Sequence, residues 1–108
     1  MKFEHEMILC IVNAGFSEAV MDAAKRIGAR GGTVLSARGT AAKEAERTFG
    51  ITIQPEKEIV LILVPSALRD QILHAVYQSV GLDTPGQGIA FALPVDSTVG
   101  LVQEPKEK

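Results

Sequence analysis

The chain has a single cysteine, no tryptophan, one tyrosine, only two histidines and almost no excess charge. Each scarcity excludes something. Cys10, alone, forms no internal disulfide, which is compatible with a reducing compartment. It lies inside the apolar stretch Met7 to Val12, where a small core residue is expected and a reactive thiolate, which needs exposure and positive neighbours, is not. His5 and His74 have no ligand-spaced partner, so no metal site is expected. A net charge of −2 supplies no electrostatic reason to bind nucleic acid or an anionic membrane surface. Long hydrophobic runs are missing too: the stretch from Ile59 to Pro65 is far short of the ~20 residues a spanning helix needs, so no stable membrane insertion is expected. Met1 to Glu6 is polar and acidic where a secretory leader would be positive and then apolar, and the expected location is cytoplasmic.

What is present is an ordinary globular composition, 46% apolar and 22% charged over 108 residues. That is enough chain for one domain with one core. A single domain over residues 1–108 is expected, with its core at about 7–99 and a polar tail at 100–108.

Met7-Ile8-Leu9-Cys10-Ile11-Val12 is continuously apolar and rich in β-branched residues, the pattern of a central strand covered on both faces. After Asn13-Ala14-Gly15, Ser17 is placed to cap a helix. Phe16, Ala19, Val20, Ala23, Ala24 and Ile27 fall on one face of it. Glu18 and Asp22 near its start and Lys25 and Arg26 near its end suit the helix dipole. Gly28, Gly31 and Gly32 stop it, and Thr33 to Arg38 reads as a second strand. Residues Gly39 to Gln54 are polar and too long for a tight hairpin; Ala41 to Arg47 has the makings of a helical turn, but the segment reads as an excursion. Glu58 to Val64 is a third strand, ended by Pro65-Ser66, with Ser66 placed to cap a helix buried through Leu68, Ile72, Ala75, Val76 and Val80. Gly81 closes that helix, Asp83 to Gly88 is a dense turn cluster, and Ile89 to Val95 is a fourth strand.

The order βαββαβ implies an α+β, ferredoxin-like sandwich: an antiparallel sheet with two helices on one face. Following the strand directions, the end of the first strand, the excursion and the glycine turn before the fourth strand all meet at one end of the sheet. The second and fourth strands are then opposite edges, three spacings or roughly 14 Å apart. A small ligand touching both loops therefore fits better between subunits than within one.

Three segments at that end carry binding chemistry. In Thr84-Pro85-Gly86-Gln87-Gly88, alternating glycines allow successive backbone N–H groups to converge on an anion, though a tight helix-to-strand turn has the same signature. Arg38-Gly39-Thr40 sets a guanidinium beside a glycine that permits close approach, or is a solvated edge arginine before a turn. Lys57 sits where the excursion rejoins the sheet, leaning toward the same end or guarding a strand edge. The candidate ligand-binding residues are thus Arg38, Gly39, Thr40, Lys57, Gly86, Gln87 and Gly88. No nucleophile, base and orienting group occur as a set, so no catalytic residues are assigned and an enzyme is not expected.

With these elements placed, the chain resembles the PII nitrogen-regulatory superfamily from Met7 to about Val99. The stretches that carry the resemblance are Gly28-Ala29-Arg30-Gly31-Gly32-Thr33-Val34 leading to Arg38-Gly39, then Lys57 to Pro65, then Gly86-Gln87-Gly88-Ile89-Ala90-Phe91. The resemblance implies a homotrimer that binds an adenine nucleotide (ATP, ADP or AMP) or another small anionic ligand in clefts between subunits. It implies that a regulated transporter or enzyme is engaged through residues 40–56, the counterpart of the family's T-loop. Gly39 and Thr40 would lie at the nucleotide end of the second strand, Lys57 at the T-loop base, and Gly86 to Gly88 would cradle phosphate as the B-loop. The chain departs from the family where Ile89 replaces the B-loop lysine and where Thr98 and Gly100 stand in place of paired arginines. Those cations would each add a charge-assisted contact of roughly 1.5–3 kcal/mol, so triphosphate binding is weakened. The excursion is short for a T-loop and has no tyrosine; Tyr77 is on the second core helix. Nitrogen regulation through ATP and 2-oxoglutarate gives way to a divergent PII-like role. The alternatives are a small ferredoxin-like enzyme, for which only the versatility of the fold speaks, and a ligand-free or CutA-like trimeric module.

Overall fold

The computed structural model describes residues 3–40, 42–50, 55–82 and 87–101. Its elements run β1 (His5–Asn13), α1 (Ser17–Ile27), β2 (Thr33–Arg38), α2 (Ala42–Phe49), β3 (Glu56–Pro65), a 3-10 turn (Ser66–Leu68), α3 (Arg69–Val80) and β4 (Gly88–Val95). The four strands form one antiparallel sheet in the order β2-β3-β1-β4. This is the expected ferredoxin-like arrangement, with β2 and β4 as the two edges.

Strand alternation sorts the side chains into two layers. On one face Ile8, Cys10 and Val12 of β1 and Val60, Ile62 and Val64 of β3 are fully buried against Val20, Ala23 and Ala24 of α1 and Ile72, Val76 and Val80 of α3. Each fully buried Val or Ile contributes about 1.5–3 kcal/mol, so this single layer carries the fold. Cys10 belongs to it, and burial pushes its thiol up to about 11.

The other face is different. Met7, Leu9 and Ile11 of β1, Ile59, Leu61 and Leu63 of β3, Leu35 of β2 and Ile89, Phe91 and Leu93 of β4 alternate with the core positions and are not fully buried. Ile89 and Leu93 are about half exposed, at 56% and 48%. The continuous apolar run of β1 predicts a strand covered on both faces; in this chain the helices cover only one. The uncovered side is as apolar as the covered one.

Three local expectations are revised. The excursion contains a helix, α2, built from the good helix formers of Ala42 to Arg47 and ended at Gly50, whose N–H bonds Glu46 O at 2.8 Å. Ser17 does not cap α1: the residue before the helix is Phe16, with no side-chain cap of its own. Ser66 does not cap α3 either; its hydroxyl donates to the Phe3 carbonyl and so ties the chain start to the exit of β3. At that same end Arg69 Nη1 donates to Glu6 Oε2 at 2.8 Å, and Glu6 is buried. These contacts tie the chain start to the β3 exit at the end of the sheet opposite the excursion.

Candidate functional site

The antiparallel registers place the candidate residues. Asn13 at the end of β1 lies opposite Lys57, Ala37 lies opposite Lys57 from the other side, Arg38 lies opposite Glu56, and Gly88 lies opposite Val12. The exits of β1 and β2 and the entries of β3 and β4 therefore share one end of the sheet.

Lys57 is the centre of the β2–β3 side. Its Nζ donates to Asn13 Oδ1 at 2.5 Å, and Asn13 is buried. A Cβ on Gly39 would stand 3.1 Å from Lys57 Cε, so glycine leaves room for the lysine stem to pass. The Gly39 N–H donates to Pro55 O at 2.6 Å and closes the neck of the excursion. Partial burial lowers the Lys57 pKa, because the ammonium is desolvated. Among the described residues no carboxylate is in ion-pair contact with it, and its side-chain partner is a neutral amide. Arg38 and Thr40 are exposed beside this neck.

Glu58, next along β3, points to the opposite face. Its Oε1 accepts from the backbone N–H groups of Gly15 at 2.9 Å and Ser17 at 3.3 Å. The Gly15 bond is the main reason its carboxyl is held below the ordinary range. Ala14 N also donates to Glu56 O at 3.0 Å. Residues 55–58 thus bind the β2 exit and the entry to α1 in consecutive steps. Asn13 and Glu58 were not among the residues singled out from sequence. An asparagine at a strand end gave a faint signal; a glutamate at the start of an apolar strand gave none.

On the β4 side, Thr84, Pro85 and Gly86 lie outside the described residues, and Gln87 and Gly88 lead into the strand. Gly88 has φ +139°, and a Cβ there would come within 2.2 Å of Ile11 O. Glycine is required for β4 to meet β1 at all, whatever else it does. Ile89 starts the open apolar face. It also lines a shallow groove of about 420 Å³ with Leu73, His74, Tyr77, Leu82, Gly88 and Ala90. None of Arg38, Gly39, Thr40 or Lys57 lines that groove. Within this chain the candidates therefore form two groups at one end of the sheet, on opposite edges roughly 14 Å apart. Among the described residues, no group of three His, Cys, Asp or Glu side chains is placed to hold a metal ion, and no helix is long and apolar enough to cross a membrane.

No protein-family model matches the chain, and no curated protein matches it in sequence. A solved structure does match in shape: PII from Arabidopsis thaliana bound to citrate, with a TM-score of 0.67 and 22% identity, covering 87% of this chain and 79% of that one. The fold is PII-like. At this identity the likeness speaks for the chain path.

Proposed function

We propose that the chain is a divergent PII-like signalling protein that binds a small anion between the subunits of a homotrimer and controls a partner protein through residues 40–56. The observation that carries the reading is Lys57: a partly desolvated ammonium at the loop end of the sheet, held by a neutral amide and paired with no described carboxylate. A cation so placed is a receptor for anionic charge. Arg38, opposite Glu56, alternates to the other face of the sheet from Lys57 and adds no second cation there, whereas Gly86 to Gly88 would bring backbone donors from the neighbouring subunit.

The assembly is supported by the open face. Burying Leu9, Ile11, Leu61, Leu63, Phe91 and Leu93 against copies of themselves would cover both faces of β1 and β3, as their unbroken apolar sequences require. Placing β2 of one copy beside β4 of the next would also unite the two groups of candidate residues. A role for the excursion in partner binding follows the resemblance, with α2 as its ordered part. Nothing in the reading requires a catalytic step.

The ligand class is narrowed by charge. Ile89 in place of a lysine and the absence of cations from Asp96 to Leu101 disfavour tight triphosphate binding. The PII protein that this chain matches in shape was solved with citrate, which makes a small polycarboxylate the first candidate here and an adenine nucleotide the second. Native mass spectrometry together with calorimetric titration of citrate, ATP, ADP, AMP and bicarbonate tests the proposal. It expects a trimer and heat from at least one of these anions, lost in Lys57→Gln. A monomer or dimer, or silence from every anion, would overturn it.

A further inference from the structure

Asn13 and Lys57 face each other directly across the β1–β3 register, and their side chains meet at 2.5 Å on the sheet face turned away from the helices. Asn13 has little freedom. Asn13 is 8% exposed, and its backbone is pinned because Phe16 N donates to its carbonyl at 3.1 Å while Ala14 N donates to Glu56 O. Gly39 leaves the Lys57 stem room to pass, since a Cβ there would stand 3.1 Å from Lys57 Cε, and the ammonium at its end is free to reorient.

We propose that Asn13 is an internal competitor for the anion: its carboxamide oxygen holds the Lys57 ammonium in the position a ligand oxygen would take, and must yield it for the ligand to bind. This inference rests on the anion-binding reading above. The contact with Asn13 is already assisted by the ammonium charge, but an ionised oxygen adds charge–charge attraction that an amide dipole lacks, which makes it the stronger partner in a partly desolvated site. An incoming carboxylate or phosphate therefore wins the exchange. The affinity measured is the difference between the two contacts. The contact sets a threshold: weak or neutral acceptors do not displace Asn13, and the neck of the excursion keeps its resting arrangement until a real anion arrives. Glu58 holds the entry to α1 from the other face, so release of the Asn13 side chain does not unravel the corner.

The test is titration of citrate and ATP into the wild-type trimer and into Asn13→Ala, Asn13→Asp and Lys57→Gln. Removing the competitor tightens binding roughly tenfold, the worth of one hydrogen bond to a charged group. Replacing it by a charged one weakens binding by about tenfold or more, since the carboxylate introduced by Asn13→Asp would be an ionised acceptor in the ligand's place. The Lys57 side-chain NMR signal provides a second readout: citrate should move it in the wild type, and Asn13→Asp should move it without any ligand. Unchanged or weaker binding in Asn13→Ala overturns the inference. If that variant does not fold, the near-isosteric Asn13→Asp decides alone, and undiminished affinity overturns it. Where the wild type binds and Lys57→Gln does not, yet the Asn13 variants fail to diverge, the competitor falls and the anion site stands. Where the wild type binds neither probe, the competitor falls, and the anion site falls with it once ADP, AMP and bicarbonate are silent too.

Discussion

Glu58 Oε1 accepts the backbone N–H of Gly15 at 2.9 Å across 43 residues of sequence, so a carboxylate on a strand caps a helix far from it in the chain. Ser17 N donates to the same oxygen. The helix dipole adds to the attraction, because the carboxylate sits where the positive end of α1 begins. The neighbouring Lys57 holds Asn13 on the other face, and the corner between β1 and α1 is gripped from both sides by consecutive residues.

A pH dependence follows. The folded state lowers the Glu58 pKa, so its contribution is complete above the unfolded value and is lost as pH falls through the folded one. Wild type should be more stable than Glu58→Gln at neutral pH, and the gap should close on acidification below about pH 4, the ordinary glutamate range. Urea midpoints of both proteins between neutral pH and about pH 3 check this. A gap that stays constant over that range would show that the carboxylate charge is not what caps α1.

Gly88→Ala should destabilise the monomer fold by about 3 kcal/mol or more, combining a left-handed backbone with a Cβ inside contact distance of the Ile11 carbonyl. Gly15→Ala is the control: it shares a positive φ of +100° but would meet nothing within 4 Å. It should cost about 1 kcal/mol. Thermal melts distinguish them, and equal losses would remove the close approach as the reason for glycine at Gly88. Loss of ligand binding in Gly88→Ala is therefore no test of a phosphate cradle.

The parts of this fold that were legible in sequence are those set by local pattern. Met7 to Val12 and Ile59 to Val64 announce central strands, the 3–4 spacing from Ala19 to Ile27 and from Ile72 to Val80 announces helices, and Gly28 and Gly81 mark where they stop. Element order then placed Arg38, Gly39, Lys57 and Gly88 at one end of the sheet. What stayed hidden depends on partners distant in sequence. Ser17 and Ser66 looked like caps because capping is usually local, whereas α1 is capped by Glu58 and Ser66 bonds Phe3. Helix α2 was legible in its alanines and charged helix formers but was outweighed by the polarity of the segment around it. The pairing of Lys57 with Asn13 requires the strand register, which no single segment contains.

Cys10 gives a probe of global opening. Its thiol is fully buried and its pKa is pushed up to about 11, so thiolate is scarce and inaccessible near neutral pH. Alkylation by iodoacetamide should be slower than for an unfolded control by orders of magnitude, and its rate should rise with urea in parallel with loss of circular dichroism. Labelling at the rate of an exposed thiol in native buffer would contradict the packing of β1 against α1 and α3.

The open face gives the sharpest prediction about assembly. Phe91 lies on the side of β4 away from the helices, 37% exposed, and takes no part in the buried layer. Phe91→Glu should therefore spare the protomer while placing a charge in the face proposed to be buried between copies. The cost of desolvating that charge, several kcal/mol in each copy, is enough to dissociate the trimer. Analytical ultracentrifugation should show trimer for wild type and folded monomer for the variant, with unchanged far-ultraviolet circular dichroism. Anion binding should vanish with the trimer, because the proposed site takes Lys57 and Gly88 from neighbouring subunits. A folded Phe91→Glu monomer that still binds citrate with wild-type affinity would place the whole site within one protomer and remove the reason for assembly at this end of the sheet.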